Sequence, residues 1–185
     1  VWWLAMSGVF ERHPNLRLVI TEQFEGWWRH TLHEMDVVGA RFGPDMDLPR
    51  PPSEYAKSNV FIGASFLSAA MATDAVTHGY DGNIVWGSDY PHIEGTFVAV
   101  DDPDAEPITQ LALRNTFSAV PPASARRMAG ENGLRAFGLD RAELRAVADR
   151  IGAPSLRQLT TAPATLPEIP EGSMAFSGQV GFLPS

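Results

Sequence analysis

The stretch Asn83-Ile84-Val85-Trp86-Gly87-Ser88-Asp89-Tyr90-Pro91-His92 constrains the fold more than any other part of this chain. An apolar run sits between the turn signal Asp81-Gly82 and Gly87, then gives way to a carboxylate, an aromatic, a proline and an imidazole. A run this short and this uniformly apolar suits a strand covered on both faces, which in practice means a parallel sheet in an α/β fold. Polar residues at the C-terminal end of such a strand stand where α/β folds carry out their chemistry.

The remaining segments extend that grammar. An amphipathic helix opens the chain, with Trp2, Trp3, Met6, Val9 and Phe10 on one face, and it starts at Val1 with no cap residue. That start implies sequence upstream of Val1; a processed N-terminus is the alternative. His13-Pro14-Asn15 forms a turn, and Leu16 to Ile20 reads as a strand that ends at Thr21, Glu22 and Gln23. After Gly26, the spacing of Trp28, Leu32, Met35 and Phe42 predicts a long helix that stops at Gly43-Pro44. A Pro-rich loop from Leu48 to Ser53 leads to a strand from Asn59 to Ala64, followed by a helix over Ser68 to His78 with Gly79 as its C-cap. Beyond the Asp89 strand, a polar loop through Asp101, Asp102, Pro103 and Asp104 precedes a helix over Ile108 to Ala119. Pro121-Pro122 opens another helical region that reaches Phe137. Within it, the Gly130-Glu131-Asn132-Gly133 cluster breaks the pattern, with Asn132 placed to cap the helix that follows. Asp140 and Glu143 then resemble a capping box, and Leu144, Val147, Ala148 and Ile151 share a face. Helices alternating with three strands spell a parallel sheet with right-handed crossovers. Residues 1–152 form this unit, and residues 153–185, richer in Pro, Gly, Thr and Ser, read as a tail laid over the surface or against a neighbour.

Composition narrows the function. A net charge of −8 without clustered Lys or Arg argues against a nucleic-acid partner. With no cysteine, the available chemistry is carboxylate, imidazole, hydroxyl and backbone, a composition that suits the cytoplasm. The longest mostly apolar stretch, Val60 to Ala72, is too short to span a bilayer. No GxGxxG follows a strand, and neither a GxxxxGK[ST] loop nor a GxSxG elbow occurs, which weakens nucleotide-binding and serine-hydrolase readings.

Asp89 is the leading catalytic candidate, because a strand-end carboxylate can ligate a divalent metal or orient a water. The plainer alternative is a loop aspartate capping the next turn. His92 is placed to reach the same cleft, to bind a substrate carboxylate or to move a proton, and Tyr90 between them is a second substrate contact. Glu22 ends the first strand as Asp89 ends the third, so in a parallel sheet both point to one edge and can divide acid and base work. His30 and His33 share a helix face but lack a third ligand nearby, and His13 and His78 sit at turn or helix-end positions that read as structural.

Taken together, Gly8-Val9-Phe10-Glu11-Arg12-His13-Pro14, the strand ending in Glu22, Gly26-Trp27, Ile84 to His92 and Gly130-Glu131-Asn132 resemble the C-terminal half of the amidohydrolase-related family. That group includes aminocarboxymuconate-semialdehyde decarboxylase and related decarboxylases and hydrolases. The resemblance implies a metal-dependent TIM (β/α)8 barrel of which this chain holds the strands numbered six to eight, with the site at their C-terminal ends. It makes Asp89 a metal ligand and proton acceptor, and puts Glu22 where many members carry a histidine. It implies a divalent metal, zinc by preference, and a small organic acid or cyclic substrate that is hydrolysed or decarboxylated. The family's His-x-His pair and a further histidine have no counterpart here, so the ligand set is incomplete and the isolated chain is expected to be inactive. An open half-barrel also favours pairing with another copy or with the missing half. The other readings are a non-catalytic remnant acting as an interaction module, and a doubly wound domain with its own complete sheet.

Overall fold

A computed structural model describes residues 1–23, 27–46, 48–92, 94–97, 105–168 and 174–176. Gly26 of the family-like pattern, the acidic loop through Asp101, Asp102 and Asp104, and the tail segments 169–173 and 177–185 lie outside the described residues. The sheet has three parallel strands, β1 (Leu18–Ile20), β2 (Val60–Ala64) and β3 (Ile84–Trp86), in the order β1-β2-β3. Ile20 pairs with Ile62, which pairs with Ile84, and Ala64 pairs with Trp86. Because side chains alternate, this register puts Leu18, Ile20, Val60, Ile62, Ala64, Ile84 and Trp86 on one face. All seven belong to the main hydrophobic core or pack against it. Val19, Phe61, Gly63 and Val85 fall on the other face.

The first face is covered by α1 (Trp2–Met6), α2 (Val9–Arg12), α3 (Trp27–Met46), α4 (Pro52–Asn59), α5 (Ala69–Thr77), α6 (Ile108–Phe117) and α7 (Pro122–Arg126). Ala5, Phe10, Met35, Tyr55, Ala75, Phe117 and Ala125 from these helices are fully buried in that core. The opening helix is two short ones, broken at Gly8 with φ +70°. The break rotates the apolar stripe: Ala5 and Phe10 are buried while Trp2 and Trp3 are exposed. α3 runs through Gly43 and Pro44 to Met46, because a proline weakens only the turn before it and the helix ends a few residues later. Phe42 on that helix is exposed rather than on its buried face.

α4 takes the last two residues of the expected loop and the unassigned stretch after it, and the expected strand start at Asn59 is its last residue. Pro52 at its first turn is pre-set for helix, and its cap comes from another helix: Asp36 of α3 accepts from Ser53 N at 2.9 Å and from Ser53 Oγ at 2.7 Å. α5 follows its local signals, with the Ser68 hydroxyl accepting from Met71 N.

Three buried asparagines pin the starts of the strands, at the edge opposite the candidate site. Asn59 donates to Leu16 O (2.8 Å) and Pro14 O (3.1 Å), ahead of β1. Asn83 donates to Val60 O (2.7 Å) and Lys57 O (2.9 Å), tying β3 to the junction of α4 and β2. Asn132 donates to Asp81 O and Ile84 O, both at 2.7 Å. Asn83 O accepts from Ile62 N, so alternation turns the carbonyl of Ile84 toward the free edge of β3, and Asn132 satisfies it there.

Asn132 is therefore not the helix cap that the glycines around it suggest. A π turn over Arg127–Glu131 joins α7 to α8 (Asn132–Phe137), and the extra residue in that turn aims the Asn132 amide at β3. α9 (Arg141–Ile151) starts with Asp140 accepting from Glu143 N at 2.8 Å. A reciprocal capping box forms instead in the tail, between Ser155 and Gln158 at the start of α10 (Leu156–Leu159). Leu159 joins the main core, and Ala175 and Phe176 pack on Ile108, Leu111 and Ala112 of α6. No helix among the described residues is long and apolar enough to cross a membrane.

Candidate active site

The C-terminal strand ends deliver Thr21-Glu22-Gln23 from β1 and Gly87-Ser88-Asp89 from β3 to the same edge of the sheet. Glu22 and Asp89 are the positive-φ residues other than glycine among those described, at +55° and +59°. The left-handed region costs an L-residue roughly 1–2 kcal/mol, less for Asp than for Glu because a short polar side chain can bond locally. Strain of this kind persists where surrounding structure imposes it, and it clusters at functional sites. Both stand at the C-terminal ends of strands, Glu22 after β1 and Asp89 after β3.

Asp89 is mostly buried, with 16% of its side chain exposed, while His92 is 61% exposed. His92 Nδ1 stands 3.6 Å from Asp89 Oδ2 and 3.5 Å from Glu94 Oε2. These distances are long for hydrogen bonds but within ion-pair reach once the imidazole is protonated. The turn that holds them closes tightly: His92 N donates to Asp89 O at 2.7 Å, Gly95 N to His92 O at 2.9 Å, and Thr96 N to Ser88 O at 2.9 Å. Gly95 is obligatory, since a Cβ there would lie 2.6 Å from Ser88 O and 2.8 Å from the Phe97 ring. Thr109 at the start of α6 donates to Thr96 O, and Met174 N in the tail donates to Glu94 O, so later segments brace this loop.

Asp89 and His92 are thus brought together, and Glu94 joins them. Sequence reading passed over Glu94, although its place two residues beyond His92 in a strand-end loop was a usable signal. Tyr90 points outward and packs edge-on against Phe97 at 4.9 Å between ring centroids, leaving its ring exposed beside the site. Glu22 is exposed and stands two strands away, roughly 10 Å at the usual strand spacing. It is not part of the Asp89–His92 cluster. Both ring nitrogens of His78 have partners: Nδ1 faces Asp74 at 3.0 Å and Nε2 faces Arg29 at 2.9 Å.

A cavity of about 340 Å³, lined by residues including Trp27, Trp28, Leu67, Met71 and Tyr80, lies elsewhere, against Ile62 and Ile84 on the helix-facing side of the sheet. Among the described residues, no group of three or more His, Cys, Asp or Glu side chains could hold a metal ion. Asp89 offers one ligand position, and the described residues do not complete a metal site around it.

If backbone geometry is imposed for function, Asp89→Gly and Glu22→Gly will leave the fold unharmed or stabilise it by up to about 1 kcal/mol, with the larger gain at Glu22. Urea unfolding measures this. A loss above about 1 kcal/mol would mean that carboxylate contacts hold these turns.

Comparisons with known proteins bear on the family and the fold. The amidohydrolase family profile (Amidohydro_2) matches residues 3–139. A solved structure, the 5-carboxyvanillate decarboxylase LigW from Sphingomonas paucimobilis, aligns with a TM-score of 0.51 and 26% identity over 75% of this chain. The chain spans 38% of the length of that decarboxylase. A comparison with curated proteins found no match. The parallel sheet is accordingly part of a TIM-barrel fold; by its matched length and its fold, this chain belongs to the amidohydrolase family.

Proposed function

We propose that this chain forms the C-terminal part of a metal-dependent amidohydrolase-type enzyme, in which residues 1–152 hold strands six to eight of the barrel and Asp89 closes the site. The observation that carries this reading is Asp89 itself: a mostly buried carboxylate in a left-handed backbone conformation at the end of β3, with His92 beside it. Asp89 offers one position to a divalent metal, zinc by preference, and the other ligands come from outside these residues. The likeness to a decarboxylase favours non-oxidative loss of a carboxyl group from a small aromatic acid over hydrolysis. In either reaction the chain's own task is proton handling. Asp89 holds or accepts a proton, and His92, free to turn toward substrate, donates one to the carbon or leaving group. Tyr90 and His92 contact the substrate, and Glu22 acts at its far side. With no cysteine in the chain, a cytoplasmic setting fits.

The test is metal uptake and turnover. By itself the chain should bind zinc or manganese weakly and leave 5-carboxyvanillate unchanged. Joined to a segment that supplies the remaining histidine ligands, it should take up metal with Asp89-dependent affinity and release carbon dioxide. Failure of the assembled protein to bind metal would favour the second reading, a non-catalytic interaction module.

A further inference from the structure

The cavity of about 340 Å³ between the sheet and helices α3 and α5 has the size of a small-molecule pocket. Its lining comes from β2, β3, α3, α5 and the loops flanking α5, and none of it from the loop that holds Asp89 and His92. Most of the wall is apolar, with Ile62, Leu67 and Met71 joined by Trp27 and Trp28, whose rings stand edge to face at 5.2 Å between centroids.

One donor in this wall is unspent. Trp28 is 3% exposed, and its indole Nε1 is buried with no hydrogen-bond partner among the described residues. A buried N–H without an acceptor is costly, and native proteins satisfy most such groups. The charged and hydroxyl groups of the lining are engaged with one another instead. Asp74 accepts from the Tyr80 hydroxyl and stands 3.0 Å from His78 Nδ1 and 3.9 Å from Arg29 Nη1, which also meets His78 Nε2 at 2.9 Å. Within that group the Arg29 guanidinium and the Asp74 carboxylate offset each other, so an ionised ligand finds no unanswered countercharge. A water would suit Trp28 poorly, because an ordered water needs two to four polar partners.

We propose that this cavity binds a small neutral aromatic molecule carrying one hydrogen-bond acceptor, its ring against Met71 and the two tryptophans and its acceptor on Trp28 Nε1. The indole edges and the polarizable thioether favour a ring over an aliphatic body. The orphaned N–H supplies the single directional contact that fixes its orientation.

Titration calorimetry on the chain as it stands, with acetophenone, ethylbenzene and benzoate as probes, tests the proposal. Acetophenone and ethylbenzene share a ring and a shape and differ in the acceptor. Both should bind, and acetophenone alone should move the Trp28 indole N–H resonance downfield in a heteronuclear NMR spectrum. Trp28→Phe should weaken acetophenone roughly three- to tenfold while leaving ethylbenzene within about twofold, the signature of one lost hydrogen bond. Ala70→Phe, which fills the cavity from an exposed position on α5, should exclude both probes with an unchanged circular dichroism spectrum. No binding of either neutral probe, or binding indifferent to Ala70→Phe, would overturn the site. An indole resonance that acetophenone does not move, or a Trp28→Phe variant that treats the two probes alike, would overturn the role of Trp28. Benzoate binding more tightly than acetophenone would overturn the neutral ligand class.

Discussion

Asn83→Asp is expected to destabilise the fold by at least about 3 kcal/mol at neutral pH, the scale of an uncompensated buried charge. Asn83 is 2% exposed, and its amide group meets the carbonyls of Val60 and Lys57. The substitution keeps the shape but puts a carboxylate oxygen where a double donor stood, facing two acceptors with no water to intervene. Burial and the surrounding carbonyls both disfavour the charged form, so the introduced carboxyl has a folded-state pKa above its unfolded one. Its penalty is therefore smallest below the unfolded pKa, where the protonated acid can donate to one carbonyl, and grows as pH rises through the folded pKa. Urea midpoints at pH 4 and pH 7 measure this: the gap to the parent protein should widen with pH. A pH-independent gap would mean that the aspartate has swung out to water. Asn83→Ala, which strands the carbonyls without adding charge, should cost less, about 1–3 kcal/mol.

Asp89→Asn should reduce turnover of the assembled enzyme by about 100-fold or more, within the usual range for loss of a proton-handling group. Asparagine keeps the size of the side chain and tolerates a left-handed backbone as well as aspartate does, so the turn should survive. The ion pair with the exposed His92 is long and half-screened, and its loss should change stability by less than about 1 kcal/mol. The prediction is thus a large change in kcat with an unchanged urea midpoint. Equal activity in parent and variant would reduce Asp89 to a turn residue and favour the interaction-module reading. His92→Gln tests the partner: it should lower kcat and remove the limb of the pH–rate profile that reports the imidazole.

Both experiments probe one design, in which the two edges of a small parallel sheet do different work. At the N-terminal edge, Asn59, Asn83 and Asn132 satisfy carbonyls with rigid, neutral, buried amides. At the C-terminal edge, Glu22 and Asp89 are acidic side chains on left-handed backbone. Substitutions at the first edge should therefore report in stability, and those at the second in function.

The three strands, the helices that follow their own periodicity, and the place of Asp89 at a strand end were legible in the chain alone. Their signals are local: an apolar run bounded by glycines, Ser68 three residues before Met71, an Asp at a strand end. The resemblance to the amidohydrolase-related family was legible too, because it rests on the order of short motifs. What local signals missed had its physical cause elsewhere in the fold. α4 starts at the end of a Pro-rich stretch and is capped by Asp36, a residue of another helix, so its one local start signal, Pro52, was masked by the prolines before it. Asn132 sits among glycines and reads as a cap, yet its amide bonds the carbonyls of Asp81 and Ile84 some fifty residues earlier. Trp2 and Trp3 fit an apolar stripe that a left-handed Gly8 then turns away from the core. Glu94 stands against His92 while Glu22 ends the far strand of the same edge, because the tight return of the loop onto Ser88 and the width of the intervening strand decide which carboxylates meet His92. Periodicity and capping act within a few residues, and so the sequence by itself determined the elements and the residue types at their ends; hydrogen bonds and packing between distant segments decided which of those ends form a site.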